Sequence, residues 1–128
     1  MFLSIGYAGR KIAEVISILR QHETKALVDI RRWPTSKYAE FRKENLEATL
    51  RGMGIAYFHL PELGGFRGNY ETYVKTGEFR RGLEKLLELE RSYEVVCLLC
   101  RERKSKYCHR RYVIRELRRL RRKVVELE

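Results

Sequence analysis

Five short apolar runs, at residues 2–7, 26–30, 55–60, 94–100 and 123–128, alternate with stretches whose apolar residues recur every three or four positions. That alternation constrains the fold more than any single motif does. Short β-branched or apolar runs bounded by turn residues read as strands, and the periodic stretches between them read as helices. Over 11–22, Ile12, Val15, Ile16 and Leu19 fall at i, i+3, i+4 and i+7, one face of a helix. Leu46, Leu50 and Met53 repeat the pattern over 44–53, and Phe79, Leu83, Leu86 and Leu87 repeat it over 78–91. Val113, Ile114, Leu117 and Leu120 do so over 108–122, and a shorter helix is predicted over 70–75. No two strands are separated by a hairpin turn signal, so parallel strands joined by helices follow. The expected fold class is α/β: a single domain over 1–128, a mainly parallel five-stranded sheet, helices on both faces.

This topology has a functional consequence. In an open parallel sheet every loop leaving a strand emerges on the same edge. The unusual polar residues of the chain sit in those loops. Gly6-Tyr7 follows the first strand; Asp29-Ile30-Arg31 and Ser36 follow the second. Glu62 to Gly65 follows the third, and 100–110 follows the fourth. The connection after the second strand, 31–43, exceeds the roughly 2–6 residues usual for such a loop. Pro34 also bars Trp33 from helical geometry.

Residues 100–110 contain Cys100, Glu102, Cys108, His109 and Arg110 in the pattern C-x-E-x5-C-H-R. A Cys108 thiol at a helix N-terminus among arginines has a lowered pKa and suits nucleophilic or redox work; a small apolar cysteine packed under the helix is the plainer role. His109 is a general acid/base or a capping residue. Arg110, in the expected first helical turn, opposes the helix dipole unless an anion lies nearby. That anion is Glu102, Asp29, or a bound phosphate or carboxylate. Asp29 and Glu102 together would form a carboxylate pair able to activate water; alternatively Asp29 ties down its own loop by accepting N–H bonds. Arg31 shares a strand face with Asp29 and is expected to hold phosphate with Arg110. Tyr7 and Trp33 are expected to stack on a base. Ser36, Cys100 and the Gly64-Gly65 turn, where backbone can approach a ligand closely, complete the substrate-binding set.

Cys100, Cys108 and His109 are also the residue types of a metal site. Cys97 and Cys100, three apart on a strand, point to opposite faces, and adjacent Cys108 and His109 are not expected to converge on one tetrahedral ion. No metal and no cofactor therefore enter the expected site.

Charge narrows the partner. Residues 101–123 hold twelve Lys or Arg against two acids, a net +10 of the chain's +11. Such a block favours a phosphate-bearing small molecule or a nucleic acid, with Lys104, Lys106, Arg118, Arg119 and Arg122 as expected nucleic-acid contacts and Arg121 beside them. The plainer role is a solvated face of a heat-adapted protein, a composition in which Gln occurs once and Asn twice. The longest apolar run, 95–100, is far too short to span a bilayer. No leader pattern opens the chain, and three cysteines fit a reduced, cytoplasmic setting.

Four segments, SIGYAGR, LVDIRRWPTSKYAEF, GIAYFHLPELGG and LLCRERKSKYCHRR, together resemble the family numbered 488 among domains of unknown function. The carriers are D-x-R-x-x-P-x-S (Asp29, Arg31, Pro34, Ser36), L-G-G (Leu63, Gly64, Gly65) and C-x-E-x5-C-H-R. The resemblance implies a compact α/β protein and supplies no activity. The family often places a small hydroxyl residue where this chain has Ala8, so any ligand contact made by that hydroxyl is missing or replaced here. The leading expectation is an enzyme, hydrolytic or group-transferring, acting on a phosphate-bearing substrate such as a nucleotide or nucleic acid. A non-catalytic nucleic-acid-binding module is the alternative, and a thiol sensor pairing Cys100 with Cys108 is the second.

Overall fold

The computed structural model describes residues 1–65 and 68–127. Glu128, the end of the expected fifth strand, and Phe66 and Arg67 lie outside the described residues. The strands are β1 (Phe2–Gly6), β2 (Ala26–Asp29), β3 (Ala56–His59), β4 (Val96–Cys100) and β5 (Val124–Leu127). The helices are α1 (Ile12–Gln21), α2 (Lys43–Gly52), α3 (Tyr70–Tyr73), α4 (Gly77–Tyr93) and α5 (Arg110–Arg119). All five strands form one parallel sheet in the order β3-β2-β4-β1-β5. The α/β class read from the periodicity is therefore the fold.

Each sheet face carries its own core. Leu3, Ile5, Leu27, Cys97 and Leu99 pack under α1 and α2 through Val15, Ile16, Leu19, Leu46 and Leu50. Phe2, Val28, Val96, Leu98 and Cys100 pack under α4 and α5 through Phe79, Leu83, Leu86, Val113, Ile114 and Leu117. Period-2 side chains on a strand buried on both faces require this split, and it sends Cys97 and Cys100 to opposite cores.

The order of the strands fixes where a cleft can open. The helices after β1 and β2 lie on one face, and those after β3 and β4 lie on the other. β4 sits between β1 and β2, so on both of its sides the departing chains diverge to opposite faces. Ligand crevices form at such divergences, outside the C-terminal ends of the strands.

One boundary differs from expectation in a way that bears on the site. The basic helix starts at Arg110, not Cys108. A 3-10 turn at Ser105–Tyr107 comes first, and Cys108 is extended at φ −131° and ψ 146°. Cys108 therefore precedes the helix, where its sulfur accepts the N–H of Arg110 at 3.4 Å. No helix among the described residues is long and apolar enough to cross a membrane.

Candidate functional site

At the C-terminal edge of the sheet a cleft of about 380 Å³ is lined by Tyr7, Arg31, Arg32, Trp33, Thr35, Gly65, Cys100, Arg101, Glu102 and His109. Chain leaving β1, β2, β3 and β4 contributes to it. Close backbone crossings make the convergence possible. A Cβ on Gly6 would collide with the carbonyl of Glu102, so the loop after β4 can lie directly across the end of β1 only because residue 6 is glycine. Gly65 serves the second crossing: a Cβ there would stand 3.1 Å from Nδ1 of His109.

Arg31 lines the cleft and is bound to Asp29, which does not. Asp29 is fully buried. Its Oδ1 accepts from the backbone N (3.1 Å) and Nε (2.8 Å) of Arg31, and its Oδ2 accepts from Arg31 Nη2 (2.6 Å) and the Tyr57 hydroxyl (2.6 Å). Arg31 Nη1 donates to the carbonyls of Phe41 (2.8 Å) and Thr35 (3.3 Å) and meets the Tyr7 hydroxyl at 3.4 Å. Burial alone would lower the Arg31 pKa, but the hydrogen bonds and charge of Asp29 outweigh it and raise the pKa. Burial, then the Asp29 charge, raises that of Tyr57. Both carboxylate oxygens of Asp29 are thus engaged, by Arg31 at the head of the 31–43 loop and by Tyr57 of β3, which fits the plainer of its two expected roles. Glu102 is not among these partners of Asp29.

Arg110 departs further from expectation. It is 1% exposed and does not line the cleft. Its Nη2 donates to the carbonyls of Glu102 (2.9 Å) and Arg103 (3.2 Å), and no carboxylate pairs with it among the described residues. Its Nε and Nη1 have no hydrogen-bond partner among the described residues. Arg110 therefore staples the loop after β4 through two of its carbonyls. Tyr7 is also 4% exposed, its ring stacked on Phe41 at 4.3 Å, which removes it as a platform for a base. Phe41 pins the loop while Trp33 does not: Trp33 is 70% exposed on the rim. Ser36 Oγ accepts from the Tyr38 N–H at 3.1 Å and lines a neighbouring hollow with Tyr7, Ala8, Thr35 and Arg101. Gly64 packs against the Arg32 backbone and does not line the cleft.

The cleft floor is sulfur and imidazole. Cys100 Sγ and Cys108 Sγ are 3.1 Å apart, and His109 Nε2 is 3.6 Å from Cys100 Sγ. His109 Nδ1 is 3.8 Å from Cys108 Sγ, and Glu102 Oε2 is 3.7 Å from Cys100 Sγ. The hydrogen bond from Cys108, with burial, pushes the Cys100 thiol pKa up, and His109 only partly opposes this. Ligand atoms of Cys100, Cys108 and His109 all lie within 4.8 Å of one another. The expectation that Cys108 and His109 cannot converge is corrected: the chain turns into the helix between them, which brings both side chains to one side.

Three residues that line the cleft, Arg32, Thr35 and Arg101, are absent from the expected set of site residues. Arg101 reaches the cleft with no ion-pair partner among the described residues, whereas Arg32 is held by the Gly65 carbonyl (2.8 Å), Tyr73 (3.0 Å) and Glu78 (3.7 Å). Tyr57 stands outside the cleft but orients Asp29. An odd-numbered, inward position on β3 beside the Asp29 strand was the only signal for it. The basic helix is also less free than its composition implies. Arg118 pairs with Glu126, Arg119 with Glu116 and Arg122 with Glu90. Lys104 is exposed on the loop before the helix.

Residues 11–117 match the family model described as Domain of unknown function DUF488. No curated protein matches the chain. No solved structure matches it either.

Proposed function

From the premise that this chain belongs to the DUF488 family, we propose that the cleft beside β4 is the active site of an enzyme acting on a phosphate-bearing substrate with an aromatic ring, a nucleotide or the end of a nucleic acid. The observation that carries this reading is the set of groups left unspent in the cleft. Nearly all other polar side chains around it are committed to structure. Arg101 and Trp33 are not, and Glu102 meets only the Cys100 thiol, at 3.7 Å; the three come from two different loops. A free guanidinium holds phosphate. An exposed indole stacks on a base, an interaction worth ~1–3 kcal/mol. A half-buried carboxylate beside a thiol and an imidazole moves protons. Arg101 and the loop backbone hold the anion, Trp33 covers the ring, and Glu102 takes or gives the proton in a hydrolysis or transfer at the cleft floor.

A coating role for the basic helix receives less support, because Arg118, Arg119 and Arg122 already have carboxylate partners. The test is a mass-spectrometric screen of nucleotides and short oligonucleotides for turnover. Glu102→Gln should abolish turnover of the active class and spare its binding, Trp33→Ala should weaken binding about tenfold, and Arg118→Ala should leave both unchanged. Turnover that survives Glu102→Gln, or absence of binding by every member of the panel, would overturn the proposal.

A further inference from the structure

The cluster under the cleft is more than an acid–base neighbourhood. We infer that Cys100, Cys108 and His109 form a binding site for a zinc-type transition-metal ion, with three protein ligands and a fourth position open to the cleft. The catalytic meaning of this site rests on the function proposed above; its existence does not.

The donor set comes first. Two sulfurs and one imidazole nitrogen suit zinc, and exclude magnesium and calcium, which take oxygen. The spacing comes next. With Zn–S of about 2.3 Å and Zn–N of about 2.0–2.1 Å, tetrahedral ligands stand roughly 3.8 Å apart for S···S and roughly 3.5 Å for S···N. Cys100 Sγ to His109 Nε2, at 3.6 Å, already fits. The two sulfurs, at 3.1 Å, need to part by less than an ångström, within reach of side-chain torsions.

The ligands are also held in advance. Cys100 ends a rigid strand at the centre of the sheet. Cys108 Sγ already accepts the Arg110 N–H at 3.4 Å, the kind of outer hydrogen bond that steadies a metal-bound thiolate. His109 lies against Gly65, with the Tyr70 ring 5.9 Å away, so its ring has little freedom to turn aside. Binding breaks two S–H bonds, forms two metal–sulfur bonds, and releases two protons to solvent. The divalent charge and two thiolates then cancel. This removes a difficulty of the metal-free cluster, in which two buried thiols have chiefly each other and one imidazole as partners.

The open position faces the substrate. Cys100 and His109 line the cleft, while Cys108 lies behind them. Glu102 is not one of the converging ligands; its Oε2, 3.7 Å from Cys100 Sγ, is placed to accept a proton from water at the fourth position.

Cobalt titration tests the site without an activity assay. The full chain, kept anaerobic with reductant and stripped by a chelator, is titrated with Co²⁺. One equivalent per chain is expected, with thiolate-to-cobalt charge-transfer absorption that Zn²⁺ abolishes. Cys100→Ser and Cys108→Ser should each weaken binding by at least ~100-fold. His109→Ala, at a half-buried position, should do likewise. Cys97→Ala should leave the absorption intact. No charge-transfer absorption in the folded, reduced chain overturns the site, as does absorption that persists in His109→Ala. A Cys100–Cys108 disulfide in the air-exposed chain, combined with no cobalt uptake after reduction, overturns it in favour of a redox pair. The unsubstituted chain separates the two proposals. Cobalt bound by a chain that turns over nothing keeps the metal site and sinks the enzyme. Turnover indifferent to chelation and to Cys100→Ser does the reverse.

Discussion

Asp29 and Arg31 stand two residues apart in the chain and are joined by three hydrogen bonds, all sealed from solvent. Removing one charge of a buried pair leaves the other without compensation, at a cost of about 3–5 kcal/mol. Asp29→Asn is therefore expected to lower unfolding free energy by that amount in urea titrations and to loosen the 31–43 loop. Exchanging both residues for apolar ones should cost much less. Cys97 makes a separate residue-scale expectation. Burial raises its thiol pKa to about 12. A raised pKa means the reactive thiolate gains population only near that value. In the folded chain Cys97 should resist iodoacetamide at pH 9, and mass spectrometry should find it alkylated only after denaturation. Sequence spacing placed Asp29 and Arg31 on one strand face but could not show where the guanidinium ends. The carbonyls of Thr35 and Phe41 that complete its shell lie along an irregular loop with no periodicity to read.

At the scale of elements, the loop 101–107 is fixed from both sides: Gly6 lets it cross β1, and Arg110 holds two of its carbonyls from below. Gly6→Ala sets a methyl against backbone that cannot move aside. Overpacking of this kind costs ~1–3 kcal/mol. Hydrogen exchange at residues 101–107 should accelerate in this variant, while exchange in α1 stays slow. The regular elements were legible because each strand and long helix carries its own period, and their ends shifted by one or two residues, except that α5 ends three residues early. The shift that mattered was at the start of α5. The apolar spacing of Val113, Ile114 and Leu117 defines a helix face but says nothing about the 3-10 turn that delays its first residue. That delay is what lets Cys108 and His109 meet Cys100. The rim itself could be foreseen from topology alone; which of its groups are already engaged could not.

Over the whole molecule, the charge of +11 is distributed with more compensation than the sequence implies. Glu116, 3% exposed, receives Arg80 at 3.0 Å, Arg115 at 3.3 Å and Arg119 at 2.9 Å. Glu116→Gln would leave three cations facing one another. A fall in melting temperature is expected, partly restored by added salt, since the surviving repulsion is screened over roughly 8–10 Å at moderate ionic strength. Salt that leaves the variant's deficit unchanged would mean the loss comes from packing. The same variant should bind oligonucleotides more tightly than the parent, with a steeper salt dependence by filter binding.

The strand order has one more implication, for how the chain is made. β1 pairs only with β4 and β5, so Phe2 waits for Val96 and Val124. As the polypeptide emerges from a ribosome, β1 has no strand partner until Val96 has been synthesised. Non-local pairing of this kind is slow and leaves apolar segments open to aggregation in the interval. The central seam that gathers the cleft residues thus closes only once β4 is made, and a nascent chain stalled before residue 96 carries at most the β2–β3 pair and no binding site.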